Sequence, residues 1–183
     1  MTSIIKVDQI QTAAGGVPTA ADLGLNVSGS VLQFKNLQYT DTFTQNIHVG
    51  AINNLELSIT PTSATSKIYI QAHVFFEAQR LDNEMIWYLM RDSTNLRAPA
   101  GGSRKLGIAM PTTGYVDNDQ NSTPSVVNMS YYDSPATTSQ VTYKIAVWAD
   151  AATNFYINRT VTNTDSYGYE RGICSITLME IAG

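Results

Sequence analysis

The chain has 183 residues, 14% of them charged, and a net charge of −4. That charged fraction is well below the ~25% usual for soluble globular proteins, and the acidic balance argues against a protein that lays a basic stripe along phosphates. Cys174 is the only cysteine, which excludes an internal disulfide framework and a Cys-based zinc site.

The first segment carries a short β-branched run, Ile4, Ile5, Val7 and Ile10, with apolar groups on both faces. A strand that is apolar on both sides needs covering from both sides, and Ala13 to Gly16 are too small to do it. The segment lacks the basic region and the continuous apolar run of a signal peptide, and no stretch of the chain approaches the ~20 apolar residues of a membrane span. Gly15-Gly16 and Val17-Pro18 punctuate it. Thr19 to Leu23 is predicted as one helical turn, stopped by Gly24. Residues 1–30 therefore read as an attachment arm, with Ile4, Ile5, Val7, Ile10 and Leu23 as the anchoring residues, and residues 31–183 as the domain behind it.

Beyond Gly29 the pattern changes to short runs of period two, the signature of strands. Strands are predicted at Val31 to Phe34, Leu55 to Ile59, Ile68 to Phe76, Met85 to Met90, Lys105 to Met110, Val126 to Tyr131, Val141 to Ala149, Asn154 to Asn158 and Ile173 to Ile181. The clearest alternates Ile68, Ile70, Ala72, Val74 and Phe76 with Lys67, Tyr69, Gln71 and His73. In another, Val141, Tyr143, Ile145 and Val147 share one face. No amphipathic helix lies between these runs. The expected fold is all-β, an antiparallel jelly-roll-type β-sandwich head preceded by the extended N-terminal arm. Two long loops are predicted, Arg91 to Arg104 and Tyr115 to Ser125, and loops on a rigid sandwich are where specificity is usually carried.

The run Ile5-Lys6-Val7-Asp8-Gln9-Ile10-Gln11-Thr12, continuing to Gly24, resembles the N-terminal opening of virion appendage proteins of tailed phages, especially marine cyanophages. The run Ile173-Cys174-Ser175-Ile176-Thr177-Leu178-Met179-Glu180-Ile181 is similar to the last strand of the same family, and the middle of the chain matches only in strand pattern. The resemblance implies a homotrimer whose heads bury apolar strand faces around a three-fold axis. It also implies that the arm docks into another virion structural protein, as a tail fibre or a head-decorating knob.

Several constellations match chemical motifs only in part. Asp117, Asp119 and Asn121 match the first half of a calcium loop, but Ser122 stands where the required Gly belongs, Asn128 replaces the closing Glu, and no helices flank the run. Turn chemistry explains the same residues. Gly101-Gly102-Ser103-Arg104-Lys105 lacks the spacing of a phosphate loop and a following helix. His48 and His73 fall on separate segments, and no nucleophile-elbow or zinc-protease motif occurs. Glu56, Glu77, Glu84 and Glu170 are scattered, whereas a depolymerase would need a convergent acidic pair. Cys174 sits in an apolar strand and reads as a small hydrophobe.

Tyr131-Tyr132 and Tyr167-Gly168-Tyr169, with Trp87 and Trp148, offer rings that either stack on sugars or pack between sheets and subunits. The expectation is a non-enzymatic virion structural protein, made in the host cytoplasm and needing no cofactor. Arg97, Arg104, Asp117, Asp119, Asn121, Tyr167 and Tyr169 are its candidate receptor-binding residues, with a host surface glycan as a candidate partner. The alternative is a carbohydrate-binding module or lectin-like protein.

Overall fold

Alternating apolar and polar residues become strands when their apolar sides find one another. The computed structural model describes residues 10–18, 23, 28–78, 85–99, 101–111 and 122–183. These residues are all-β, with eight strands and no helix: β1 (Val31–Tyr39), β2 (Phe43–Ile59), β3 (Lys67–Ala78), β4 (Ile86–Arg91), β5 (Thr94–Leu96), β6 (Ser125–Asp133), β7 (Val141–Ile157) and β8 (Cys174–Ile181).

Every pairing is antiparallel, and two four-stranded rows result. One runs β1-β8-β3-β6 and the other β2-β7-β4-β5. They join where Phe76–Ala78 of β3 pairs with Phe155–Ile157 of β7, so the sheet is continuous and folds over on itself. Inward residues of both rows form one core. Ile68, Ile70, Val74 and Phe76 of β3 face Trp87 and Leu89 of β4 and Tyr143, Ile145 and Val147 of β7, all essentially inaccessible to solvent. The Phe76 and Trp87 rings approach to 4.6 Å between centroids, and Phe155 meets Trp87 edge-on at 5.6 Å.

The predicted strands at 68–76 and 141–149 form as read, with their apolar faces buried. Elsewhere the boundaries differ. Val141 to Ala149 and Asn154 to Ile157 are one strand, β7, with Asn158 beyond its end, because it changes partners midway: its first half pairs with β4 and β2, its second with β2 and β3. Asp150 to Ala152 interrupt the alternation only where β7 passes between rows. β2 begins at Phe43, twelve residues before the predicted Leu55. Its early apolar residues, Phe43, Ile47, Val49 and Ile52, are unevenly spaced, and register shifts at Ile47/Val49 and Ala51/Glu56, with Asn54 left-handed at φ 62°, hide the period.

Lys105 to Met110 is not a strand; Ala109 alone bridges to Trp87. In its place β5 forms inside the segment expected to be a loop, after a turn in which Asp92 is left-handed. Of the predicted helical turn, only Leu23 lies within the described residues.

The register also fixes which ends of the strands lie together. Val31 pairs with Ile181, Ile181 with Lys67, Ile68 with Asp133, and Ile59 with Val141. At this end lie the segment preceding β1 and the connections 60–66, 92–93 and 134–140. Tyr39 pairs with Cys174, Phe43 with Ile157, and Phe76 with both Ser125 and Ile157. The connections 40–42, 79–85, 97–124 and 158–173 leave their strands toward this second end.

Candidate functional site

Residues 158–172 form a closed loop at the second end. Asn158, left-handed at φ 59°, donates through Nδ2 to the carbonyls of Tyr39 (2.8 Å) and Asp41 (2.9 Å). The Gly172 N–H donates to the Asn158 carbonyl, and Arg159 bridges Arg171, so the loop's two stems are held together. Arg159 lies over the Tyr156 ring at 4.5 Å and donates to the carbonyls of Thr160 and Val161 and to Thr44 Oγ1. Gly172 is required by its neighbour, since a Cβ there would sit 2.2 Å from Cγ of Phe75. A loop with closed ends packed on its own side chains is an Ω-loop, a form often put to functional use.

Glu77, 1% exposed at the end of β3, ties this loop to the next. Its carboxylate accepts from the Val161 N–H (2.6 Å), the Thr123 N–H (2.9 Å) and Thr123 Oγ1 (3.0 Å). A buried carboxylate is tolerated when hydrogen bonds satisfy it, and here they fix two loops to each other. Ser122 adds a second tie, its hydroxyl reaching the Gly168 carbonyl at 2.7 Å and Glu170 Oε2 at 3.2 Å.

Between the limbs of the loop lies a polar pocket of about 240 Å³, lined by Asn163, Asp165, Ser166, Tyr169, Glu170 and Arg171 above the buried Thr160. Among the described residues the side chains of Asp165 and Arg171 have no partner, which leaves their oxygens and N–H groups for a ligand. Asp165 and Glu170 are the two acidic residues of the lining. Both are exposed to solvent. The pocket is equipped to hold hydroxyl groups.

The predicted site residues separate in space. Tyr169 lines the pocket, and Tyr167, fully exposed, stands on the same loop but outside the lining. Arg97 lies over the rings of Tyr88 and Trp148, 5.7 Å from each centroid, on the outer face of β4 and β7. Burial pushes the Tyr88 phenol above its ordinary pKa, with the Arg97 charge opposing. Arg104 lines a different groove, with Met85, Lys105 and Met110, and donates to the Gly101 carbonyl.

The aromatic residues do not form one face. Trp87 is in the core, Trp148 lies under Arg97, and Tyr131 packs on the core while Tyr132 is exposed. Ile10 and Leu23 are exposed, at 54% and 45%. Ile4, Ile5, Val7, Asp117, Asp119 and Asn121 lie outside the described residues. Sequence reading missed Asn163, Asp165 and Arg171, whose only signal was a polar run between two strands.

It also missed a surface. On the outer face of the β1-β8-β3-β6 row, Phe34 lies opposite Met179, Met179 opposite Tyr69, and Tyr69 opposite Tyr132, one apolar row across all four strands. Phe34 is 59% exposed and Tyr132 56%. The next two rows, Asn36-Thr177-Gln71-Ser130 and Gln38-Ser175-His73-Asn128, carry no carboxylate, ammonium or guanidinium group.

No protein-family model matches the chain, and no curated protein matches it.

Proposed function

We propose that this chain is a non-enzymatic virion structural protein of a tailed phage, a short fibre or knob. In this reading a jelly-roll head, residues 31–183, displays its loops, and an arm, residues 1–30, docks into the particle through Ile4, Ile5, Val7, Ile10 and Leu23. The observation that carries the reading is the polarity of the strands. The segment preceding β1 leaves from the end with short connections, while the connections 97–124 and 158–173 leave toward the other. An anchor and a display surface on one small domain need that separation.

The interleaved orders β1-β8-β3-β6 and β2-β7-β4-β5 support the jelly-roll reading, since strands near in sequence alternate between the two rows. The row from Phe34 to Tyr132 and the two uncharged rows beside it support self-association, because sheet faces that bury apolar rows without like charges meet at little electrostatic cost. The likeness of residues 5–24 and 173–181 to phage appendage proteins supplies the setting, a homotrimer on the virion surface, on the tail or the capsid, adhering to host cells.

Deleting residues 1–27 from the protein in the phage genome is the test. The expected result is a soluble, folded head that is no longer incorporated into particles. Normal incorporation of the truncated chain refutes the anchor. Immunogold labelling of wild-type virions then assigns the appendage to tail or capsid.

A further inference from the structure

We propose that the pocket of the 158–172 loop binds a single neutral pyranose unit of a surface polysaccharide. The identity of the natural ligand rests on the display reading above; the chemistry of the pocket does not.

A pyranose presents a ring of hydroxyls, each able to donate and accept, and a flat face of C–H groups. The pocket supplies the complement. The carboxylates of Asp165 and Glu170 accept, the Arg171 guanidinium donates through a rigid planar fork, and Asn163 and Ser166 do both. Tyr169, half-buried between exposed neighbours in the loop, offers a ring for the C–H face. The volume of about 240 Å³ is below the range of drug-sized sites and holds one sugar ring with its first water molecules.

Two carboxylates against one guanidinium leave the pocket net negative, which selects against uronic, sialic or sulfated sugars, because like charges brought together at a binding surface are strongly unfavourable. The ties from Glu77, Asn158, Arg159 and Ser122 fix the loop before any ligand arrives. Little ordering then opposes binding. An open polar pocket of this size gives millimolar affinity for one unit, and useful adhesion comes from several copies engaging a repeating polymer.

The experiment is a titration of the ¹⁵N-labelled full chain with galactose, glucose, N-acetylglucosamine and glucuronate. At least one neutral sugar is expected to shift the amides of residues 160–171 saturably, and glucuronate is not. Asp165→Asn and Tyr169→Ala should each weaken that response about tenfold, the scale of losing a hydrogen bond to a charged group or a stacked ring. Tyr167→Ala, outside the lining, should leave it unchanged. Unaltered spectra elsewhere in each variant show that the fold is kept.

No shift with any of the four sugars overturns the proposal, as does a response to glucuronate equal to that of the neutral sugars, or shifts that spare this loop. Sugar binding by a chain that never enters particles supports the pocket and refutes the appendage. Absent binding by a chain that does enter particles refutes the pocket alone.

Discussion

Asp133 holds the two rows together through a single side chain. It sits on β6, 7% exposed, and accepts from Arg91 of β4 at 2.6 Å and from the Tyr143 hydroxyl of β7 at 2.7 Å. Burial and this bond hold the Tyr143 phenol far above its ordinary pKa, so it donates at every physiological pH. Asp133→Ala strands a guanidinium and a hydroxyl, and is expected to cost about 3 kcal/mol, the low end for breaking a buried pair because Arg91 is still part-exposed. Urea unfolding measures it, and a loss below about 1 kcal/mol would mean that water replaces the pair without penalty. Glu180, buried at the opposite end from Glu77, makes a pH prediction. Burial works against its charge, but hydrogen bonds from Gln33 and Thr62 outweigh that and hold its pKa below the ordinary carboxylate value. A carboxyl depressed in the folded state contributes stability that is complete above its unfolded pKa, ~4.3, and lost as pH falls toward and through its folded value. Glu180→Gln should therefore lose less stability than the wild-type chain between about pH 6 and about pH 3. Identical slopes from the two proteins would remove Glu180 from the acid response.

Gly107 shows what an element can demand of one position. The segment 107–109 lies so close along β4 that a Cβ at Gly107 would fall 2.3 Å from Ile86 Cγ1 and 2.7 Å from the Trp87 carbonyl oxygen. The backbone atom cannot move aside without opening the Ile108 and Ala109 hydrogen bonds to it. Gly107→Ala is expected to destabilise by about 1–3 kcal/mol, the usual scale of overpacking, and to release this edge first in hydrogen exchange at Ile108. The same segment marks the limit of reading strands from pattern. β3 and the first half of β7 were legible because every second residue is apolar and one face is buried throughout. Lys105 to Met110 has strand-like composition, yet only Ala109 pairs, since Gly107 and the approach to Ile86 set its path. β2 was half legible for the opposite reason, its early apolar residues Phe43, Ile47, Val49 and Ile52 being unevenly spaced and its two register shifts breaking the period. The pocket was illegible in kind: Asn163, Asp165 and Ser166 are ordinary turn residues, and only the closure of the loop at Arg159 and Arg171 makes them converge. Register was equally unreadable, so Phe34, Met179, Tyr69 and Tyr132, far apart in sequence, gave no sign of lying in one row.

For the whole molecule, the size of that outer face decides how copies associate. Four strands ~4.8 Å apart and about eight residues long at ~3.3 Å each make a face of roughly 500 Å². A stable interface takes about 800 Å² from each partner. Sheet face against sheet face therefore falls short by itself, despite its apolar row and the two uncharged rows beside it. If copies assemble as proposed, the missing area must come from elsewhere in the chain, and the arm, whose run Ile4, Ile5, Val7 and Ile10 is apolar on both faces, is the natural supplier, with one face for a neighbouring copy and the other for the particle. This predicts a graded result in analytical ultracentrifugation. The full chain should form trimers, the chain lacking residues 1–27 should do so only at markedly higher concentration, and Phe34→Ser with Tyr132→Ser should leave the truncated chain monomeric. Because Phe34 and Tyr132 are more than half exposed in the single copy, replacing them removes little buried area from the fold, so the double variant should unfold at the same urea concentration as the truncated chain alone. Trimers that survive both changes would move the interface off this face. Trimers lost on truncation alone, at every concentration, would assign the whole of the association to the arm.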